Sequence, residues 1–214
     1  MAVTFEQTAN NKTGGSTTCA VTMSSTPTSG NLLVMVIATG SAHSISSISG
    51  ETWTFVEGAT NSAEVAIYTA TSGGSNSSFT VTFGASEEAV VAVAEYSTDA
   101  DSLALDQSNT NTGSGTSISG GSITPSSSTR LHVYGGATNG RVTFASYSTG
   151  FTERADDNNA ASAGFMADKI LPSAGPALNP QCSGSKSTSW AAAHATFEEV
   201  SSGINILRLR AQGY

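Results

Sequence analysis

Leu32 to Ala38 is an unbroken apolar run of seven residues, rich in Val, Leu and Ile and bounded by Gly30 and Gly40. A run this short and this punctuated predicts a strand covered on both faces, not a helix. The rest of the chain must then supply the covering layers.

The neighbouring segments read as shorter, half-buried strands. Val3–Thr8 alternates and suits an edge strand, Asn10–Ser16 (NNKTGGS) has turn composition, and Thr18–Met23 alternates again. Ser24–Gly30 contains Pro27 and reads as a loop. Ile45–Ser49, Thr52–Glu57 and Ala63–Ala70 follow as strands, then a Gly/Ser-rich loop over Thr71–Ser78. Phe79–Phe83 (FTVTF) puts three apolar side chains on one face and two threonines on the other. Ala89–Tyr96 reads as one more buried strand, and no stretch carries a helical period.

The second half echoes the first at an offset of 98 residues. Thr26-Pro27 matches Thr124-Pro125, Leu33 matches Leu131, Trp53 matches Phe151, Thr54 matches Thr152 and Asn61 matches Asn159. Asn11 falls on Asn109, Ile67 on Phe165 and Tyr68 on Met166. After an insertion near Pro172–Ser185, Ala89–Tyr96 answers Ser189–Phe197. The expected fold class is all-β, a jelly-roll-like antiparallel β-sandwich built from two pseudo-repeated halves. The halves cover about 1–98 and 99–197, followed by a C-terminal strand or docking arm over 198–214. One sandwich with Leu33 and Leu131 on its central strands is preferred to two sandwiches side by side. In the second copy His132 stands for Val34, and Gly135-Gly136 for Ile37-Ala38. These exchanges predict a less buried strand there, nearer an edge or a partner.

Composition narrows the function. Only 11% of residues are charged, against a usual ~25%, while 38% are hydrophobic, enough for a core. The net charge is −8, which argues against nucleic acid, whose phosphates require a basic face. No apolar run approaches the ~20 residues of a membrane helix. The start, Met1-Ala-Val-Thr-Phe-Glu6, lacks the basic and apolar regions of a secretory leader, so folding in a cytoplasm is expected. Cys19 and Cys182 are far apart in sequence and have no metal-ligand spacing. They read as two thiols, or as one long-range disulfide in an oxidising medium.

Few residues invite a chemical reading. His132 and His194 lie inside apolar strands, and His43 lies in a polar stretch. His132 and His194 read as structural. Asp156-Asp157-Asn158-Asn159 has the oxygen content of a calcium loop without its spacing, and otherwise reads as a polar turn. Glu87-Glu88 and Glu198-Glu199 could be imagined as a glycosidase pair. Trp53, Tyr68 and Trp190 could form a sugar-stacking face or fill the core. No nucleophile, base and orienting group can be named together, so no enzyme activity, cofactor or metal is expected. The tail carries Ile204, Ile206, Leu207, Arg208, Leu209 and Arg210, with no acid. It reads either as a last edge strand or as an arm that adds to a partner subunit, with those six residues at the interface.

Taken together, GNLLVMVIATG, ETWTFVE, AEVAIYTATSGGSNSSFTVTF, AVVAVAEYS and the closing Trp190–Phe197 strand resemble a β-sandwich module common in phage structural proteins and some bacterial surface proteins. The resemblance spans Ala2 to Phe197, and its motifs are architectural. It implies a non-enzymatic virion protein assembled in the host cytoplasm: a capsid decoration (cement) protein on the outside of the head, bound through strand edges and the C-terminal arm. The partners implied are the major capsid protein or other virion subunits, with homo-oligomers on the particle and neither nucleic acid nor membrane. The alternative it implies is a carbohydrate- or receptor-binding module on a tail or head fibre, with surface glycans as ligands.

Overall fold

The computed structural model describes residues 2–42, 44–126, 129–172 and 177–201. Twelve strands run through them: β1 (Val3–Thr22), β2 (Leu32–Thr39), β3 (Ile45–Ile48), β4 (Thr54–Asn61), β5 (Ala63–Thr71), β6 (Ser78–Thr98), β7 (Ser102–Ser119), β8 (Thr129–Asn139), β9 (Phe144–Ala145), β10 (Thr152–Asn158), β11 (Ser162–Ile170) and β12 (Gln181–Val200). Among the described residues no helix is long and apolar enough to cross a membrane.

The strands form two antiparallel sheets of six, each drawn from one half of the chain. The first has the order β1-β6-β2-β5-β4, with β3 on β6; the second, read from β7, has β7-β12-β8-β11-β10, with β9 on β12. The orders agree strand for strand, so the repeat in sequence is a repeat in topology. The sheets pack face to face as a two-half β-sandwich.

All eight residues of β2 are buried, as the apolar run predicts. Leu32, Val34, Val36 and Ala38 point into the core between the sheets, with Val65, Ile67, Ala92, Ala94 and Tyr96, against Leu131, Val133, Met166, Ala193, Ala195 and Phe197. Leu33, Met35 and Ile37 point the other way, into an outer cluster with Cys19, Val21, Phe79, Val81 and Phe83. A strand serving two cores has no polar face, which is why its sequence does not alternate.

The outer cover comes from β1 and β6 themselves. Val3–Ser16 pairs with Glu87–Thr98 and Thr18–Thr22 with Ser78–Thr82, with register shifts on either side of Ser16. The bend falls at Gly15, whose φ of 92° suits glycine, and Gly115 in β7 repeats it at 124°. Asn10–Ser16 is therefore not a turn between strands but the middle of one. Its residues are mostly exposed, on a strand that pairs along one side only among the described residues, so nothing selects an apolar pattern there.

The register corrects the repeat. Leu32 pairs with Thr71 and Tyr96, and Leu131 with Ile170 and Phe197, so Leu131 is equivalent to Leu32, not Leu33. Likewise Ile67 answers Met166, since both lie in the central core while Phe165 lies in the second outer cluster. An error of one residue moves every side chain to the wrong face. In β4 and β10 the offset of 98 holds: Thr54 and Thr152 pair with the equivalent Thr69 and Asp168, and a bulge follows Phe55 and Glu153 alike. Asn11 answers Asn111, not Asn109, because they pair with the equivalent Val91 and Ala192.

The expectation of a less buried second copy is overturned. β8 lies between β11 and β12 and is buried from Leu131 to Thr138. Its glycines answer close packing. A Cβ on Gly135 would come within 2.6 Å of Val36 Cγ1, and one on Gly136 would meet the Phe165 ring. Val36 and Gly135 are equivalent positions facing each other, so the pseudo-twofold axis passes between them, and only one of the two can be large. Polar bonds across the halves obey the same symmetry. Asn61 Nδ2 donates to Gly113 O and Asn159 Nδ2 to Thr13 O, each at 3.0 Å.

Candidate functional site

The fold brings ionisable groups together in two places. On the outer face of the second sheet, His132 of β8 and His194 of β12 lie on neighbouring strands, one step apart along the diagonal. Their rings are fully buried, and His132 Nε2 and His194 Nδ1 are hydrogen-bonded at 2.7 Å. Phe151 meets the His132 ring edge-on, its centre 4.9 Å away. The other two nitrogens, His132 Nδ1 and His194 Nε2, have no side-chain or backbone partner at bonding geometry among the described residues. Burial holds His132 well below the ordinary imidazole range, helped by His194 and by Lys169 on the adjacent strand. Burial likewise takes His194 down to about 4, with the Gly120 backbone opposing it. Both rings are neutral at pH 7 and sealed from solvent. The arrangement suits a structural pair and offers no path for a substrate.

The second place lies between the halves. Tyr96 Oη donates to Asp168 Oδ2 at 2.8 Å, and Arg154 Nε reaches the same oxygen at 2.8 Å. The Arg154 guanidinium carbon sits 3.6 Å from the centre of the Phe5 ring. Asp168 is buried, and the Tyr96 hydroxyl is held far above its ordinary range by burial and by Asp168, against the pull of Arg154. This clasp joins β6 and β1 of the first half to β10 and β11 of the second.

The other residues singled out in the sequence are dispersed. Trp190 is buried in the second outer cluster, away from Trp53 and Tyr68. Phe55 joins those two, edge-on to Tyr68 at 5.4 Å and 55% exposed. Asp156, Asp157 and Asn158 lie on strand β10, so their side chains alternate in direction instead of converging on a cation; Asp157 pairs with Lys12 at 2.7 Å. Glu88 accepts a bond from Ala161 N and Glu87 from Ser41, while Glu198 takes Ser126 and Glu199 takes Thr98 and Arg130. Each glutamate pair therefore ties down its own end of a strand. Cys19 and Cys182 are free thiols in the two different outer clusters, pushed up by burial to about 11 and about 12. No group of three or more His, Cys, Asp or Glu that could hold a metal occurs among the described residues. His43 and the interface residues expected on the tail, Ile204, Ile206, Leu207, Arg208, Leu209 and Arg210, lie outside the described residues.

Sequence reading missed Arg154 and Asp168. An acid inside the apolar stretch of β11 was the available signal, because a buried carboxylate requires a partner.

The edges form a third feature. Among the described residues β1 and β7 pair on one side only, with β6 and β12. They are 20 and 18 residues long, and Glu6, Lys12 and Asp106 are their only charged residues. Compared with protein families, with curated proteins and with solved structures, the chain matches none.

Proposed function

We propose that the chain is a non-enzymatic structural subunit of a phage virion, a capsid decoration protein that holds to the outside of the head and to its own copies through strand edges. One observation carries the reading: two long, nearly uncharged edge strands on a two-sheet block. Soluble β-proteins ordinarily blunt such edges with charge, proline or short length, because an open edge is a template for another strand. Here bulges, those beside Gly15 and Gly115 included, bend both edges, but no other strand covers them among the described residues, while the net charge of −8 opposes indiscriminate association. The resemblance of the strand motifs to phage modules points the same way.

The test is addition of the purified chain to heads that lack a decoration layer. Co-sedimentation in copies comparable to the major capsid protein is expected. Asn11→Lys with Asn111→Lys, equivalent exposed positions on the two edges, should weaken binding at least about tenfold. A chain that leaves such heads undecorated fails the reading.

A second reading, a carbohydrate- or receptor-binding module on a fibre, is favoured by the aromatic patch of Trp53, Phe55 and Tyr68. Trp53 and Tyr68 border a cleft of about 200 Å³ with Ile45 and Ile48. A glycan array probed with the wild type and Trp53→Ala decides it, since a pure cement protein binds no sugar.

A further inference from the structure

Asn139-Gly140 is the one place in the sequence where asparagine is followed by glycine. Glycine has no side chain to hold its backbone nitrogen away from the asparagine amide. In an unconstrained chain Gly140 N attacks Asn139 Cγ, the bond from Cγ to Nδ2 breaks, and the proton lost from Gly140 N leaves with that nitrogen as ammonia. Water then opens the cyclic imide at either carbonyl, and the asparagine becomes aspartate or isoaspartate.

The fold holds every group that must move. Asn139 is the last residue of β8 and pairs with Ser162. Its Nδ2 donates to Gly40 O at 2.9 Å and to Ser62 O at 3.0 Å, both in the first half. Gly140 N, the nucleophile, donates to Ala161 O at 2.7 Å. Thr138 Oγ1 donates to Gly140 O at 2.9 Å, and the Thr188 hydroxyl donates to Asn139 O. The halves meet closely here, since a Cβ on Gly40 would run into Ala161 O. Gly40 is itself the place equivalent to Asn139: Thr39 and Thr138 before them pair with the equivalent Glu64 and Ala163, and Thr39 Oγ1 donates to Ser41 O at 3.0 Å as Thr138 does to Gly140 O. The bond across the halves is therefore made from one side, because the first half has no side chain at that position to return it.

We propose that Asn139 is a self-modifying site that the fold keeps latched, and that its conversion to aspartate or isoaspartate opens this end of the join between halves irreversibly. Attack requires Gly140 N to leave Ala161 O and the Asn139 amide to leave Gly40 O and Ser62 O, so the reaction runs only from a locally opened state. The product carries a carboxylate where Nδ2 stood. It has no hydrogen to give the two carbonyls and repels both, so the seam does not close again. The latch belongs to the chain itself and does not depend on its assembly on a virion.

Peptide mapping by mass spectrometry, on the full chain kept in mildly alkaline buffer, tests it. Conversion at Asn139 is expected to be at least about tenfold slower in the native chain than in the same chain unfolded in guanidinium chloride. Thr188→Ala frees the Asn139 carbonyl, leaves the reacting pair intact and should speed the native conversion severalfold. The converted chain, and the Asn139→Asp variant that reproduces it, should unfold at a lower urea concentration than the wild type. Equal rates in the native and unfolded chains overturn the latch, as do equal native rates in the wild type and a Thr188→Ala variant that circular dichroism shows to be folded. Converted protein that unfolds at the wild-type midpoint overturns the opening of the seam.

Discussion

In the first half, Leu33 and Val93 point away from the central core into an apolar outer cluster. At the equivalent places in the second half stand His132 and His194, bonded to each other. Between the sheets the halves agree far more closely: Val34 answers Val133, Ala38 answers Ala137, Ala92 and Ala94 answer Ala193 and Ala195, and Tyr96 answers Phe197. A residue on the shared face must fit its own half and the other half. A residue on an outer face must fit only its own cover, so pairs there can be exchanged together. The loops after Thr26-Pro27 and Thr124-Pro125 show the same freedom. Glu95 of β6 holds the first, accepting from Thr28 N at 2.7 Å and Asn31 Nδ2 at 2.6 Å. Asp106 of β7 holds the second, accepting from Ser126 N at 2.9 Å and from the hydroxyls of Thr129 and Thr196. Burial alone would raise the Asp106 carboxyl, but those bonds outweigh it and hold it below its usual range.

The comparison breaks most visibly at the clasp. Asp168→Ala strands Arg154 and Tyr96 Oη without their shared acceptor and should cost about 3–5 kcal/mol. Thr69→Ala, at the equivalent place, makes no such orphan and should stay within about 1 kcal/mol. Urea unfolding of the two variants measures the difference. Equal losses would mean that the clasp adds nothing to the join between halves.

A smaller effect is expected on the axis. Gly135→Val sets two valines against each other where Val36 already fills the space, an overpacking of about 1–3 kcal/mol. Adding Val36→Gly moves the large residue to the other half and should recover most of that loss. The coupling energy from the double-mutant cycle reads out how closely the axis is two-fold. A double variant no better than the sum of its parts would place the contact elsewhere.

The legible parts of this fold were those where one residue type is forced. The buried run at Leu32–Ala38 had to be a strand between two layers, and Asn61 and Asn159 marked the duplication because their bond across the halves recurs. The 98-residue offset misled in β2 and β8 because Ser and Thr matches are abundant and a slip of one residue still aligns Leu with Leu. Strand β1 was cut in two because exposed edge residues can have the composition of a turn. The glycines of β8 suggested exposure, whereas they record the opposite, a neighbour's side chain occupying their Cβ space. The histidine pair was out of reach, since two lone imidazoles 62 positions apart meet only once the register is known.

The pair offers the subtlest test of the difference between halves. Both imidazoles are held neutral, with folded values below the ordinary imidazole range, so the unfolded chain binds more protons as the pH falls. Stability is therefore full above about 6.5 and is lost as the pH drops toward the folded value of about 4 for His194. The slope is at most about 1.4 kcal/mol per pH unit for each group, and Lys169 beside His132 extends the window to lower pH by disfavouring the charged ring. Exchanging the pair for the first half's residues, His132→Leu with His194→Val, should flatten stability between pH 7 and 5 while leaving the value at pH 7 nearly unchanged. Denaturant midpoints across that window decide it. The window lies above the range in which Asp106 protonates, so the carboxylate that holds the neighbouring loop contributes no slope of its own there. If the double variant keeps the wild-type slope, the outer faces of the two halves are electrostatically alike and the exchange of Leu33 and Val93 for histidines is a matter of packing alone.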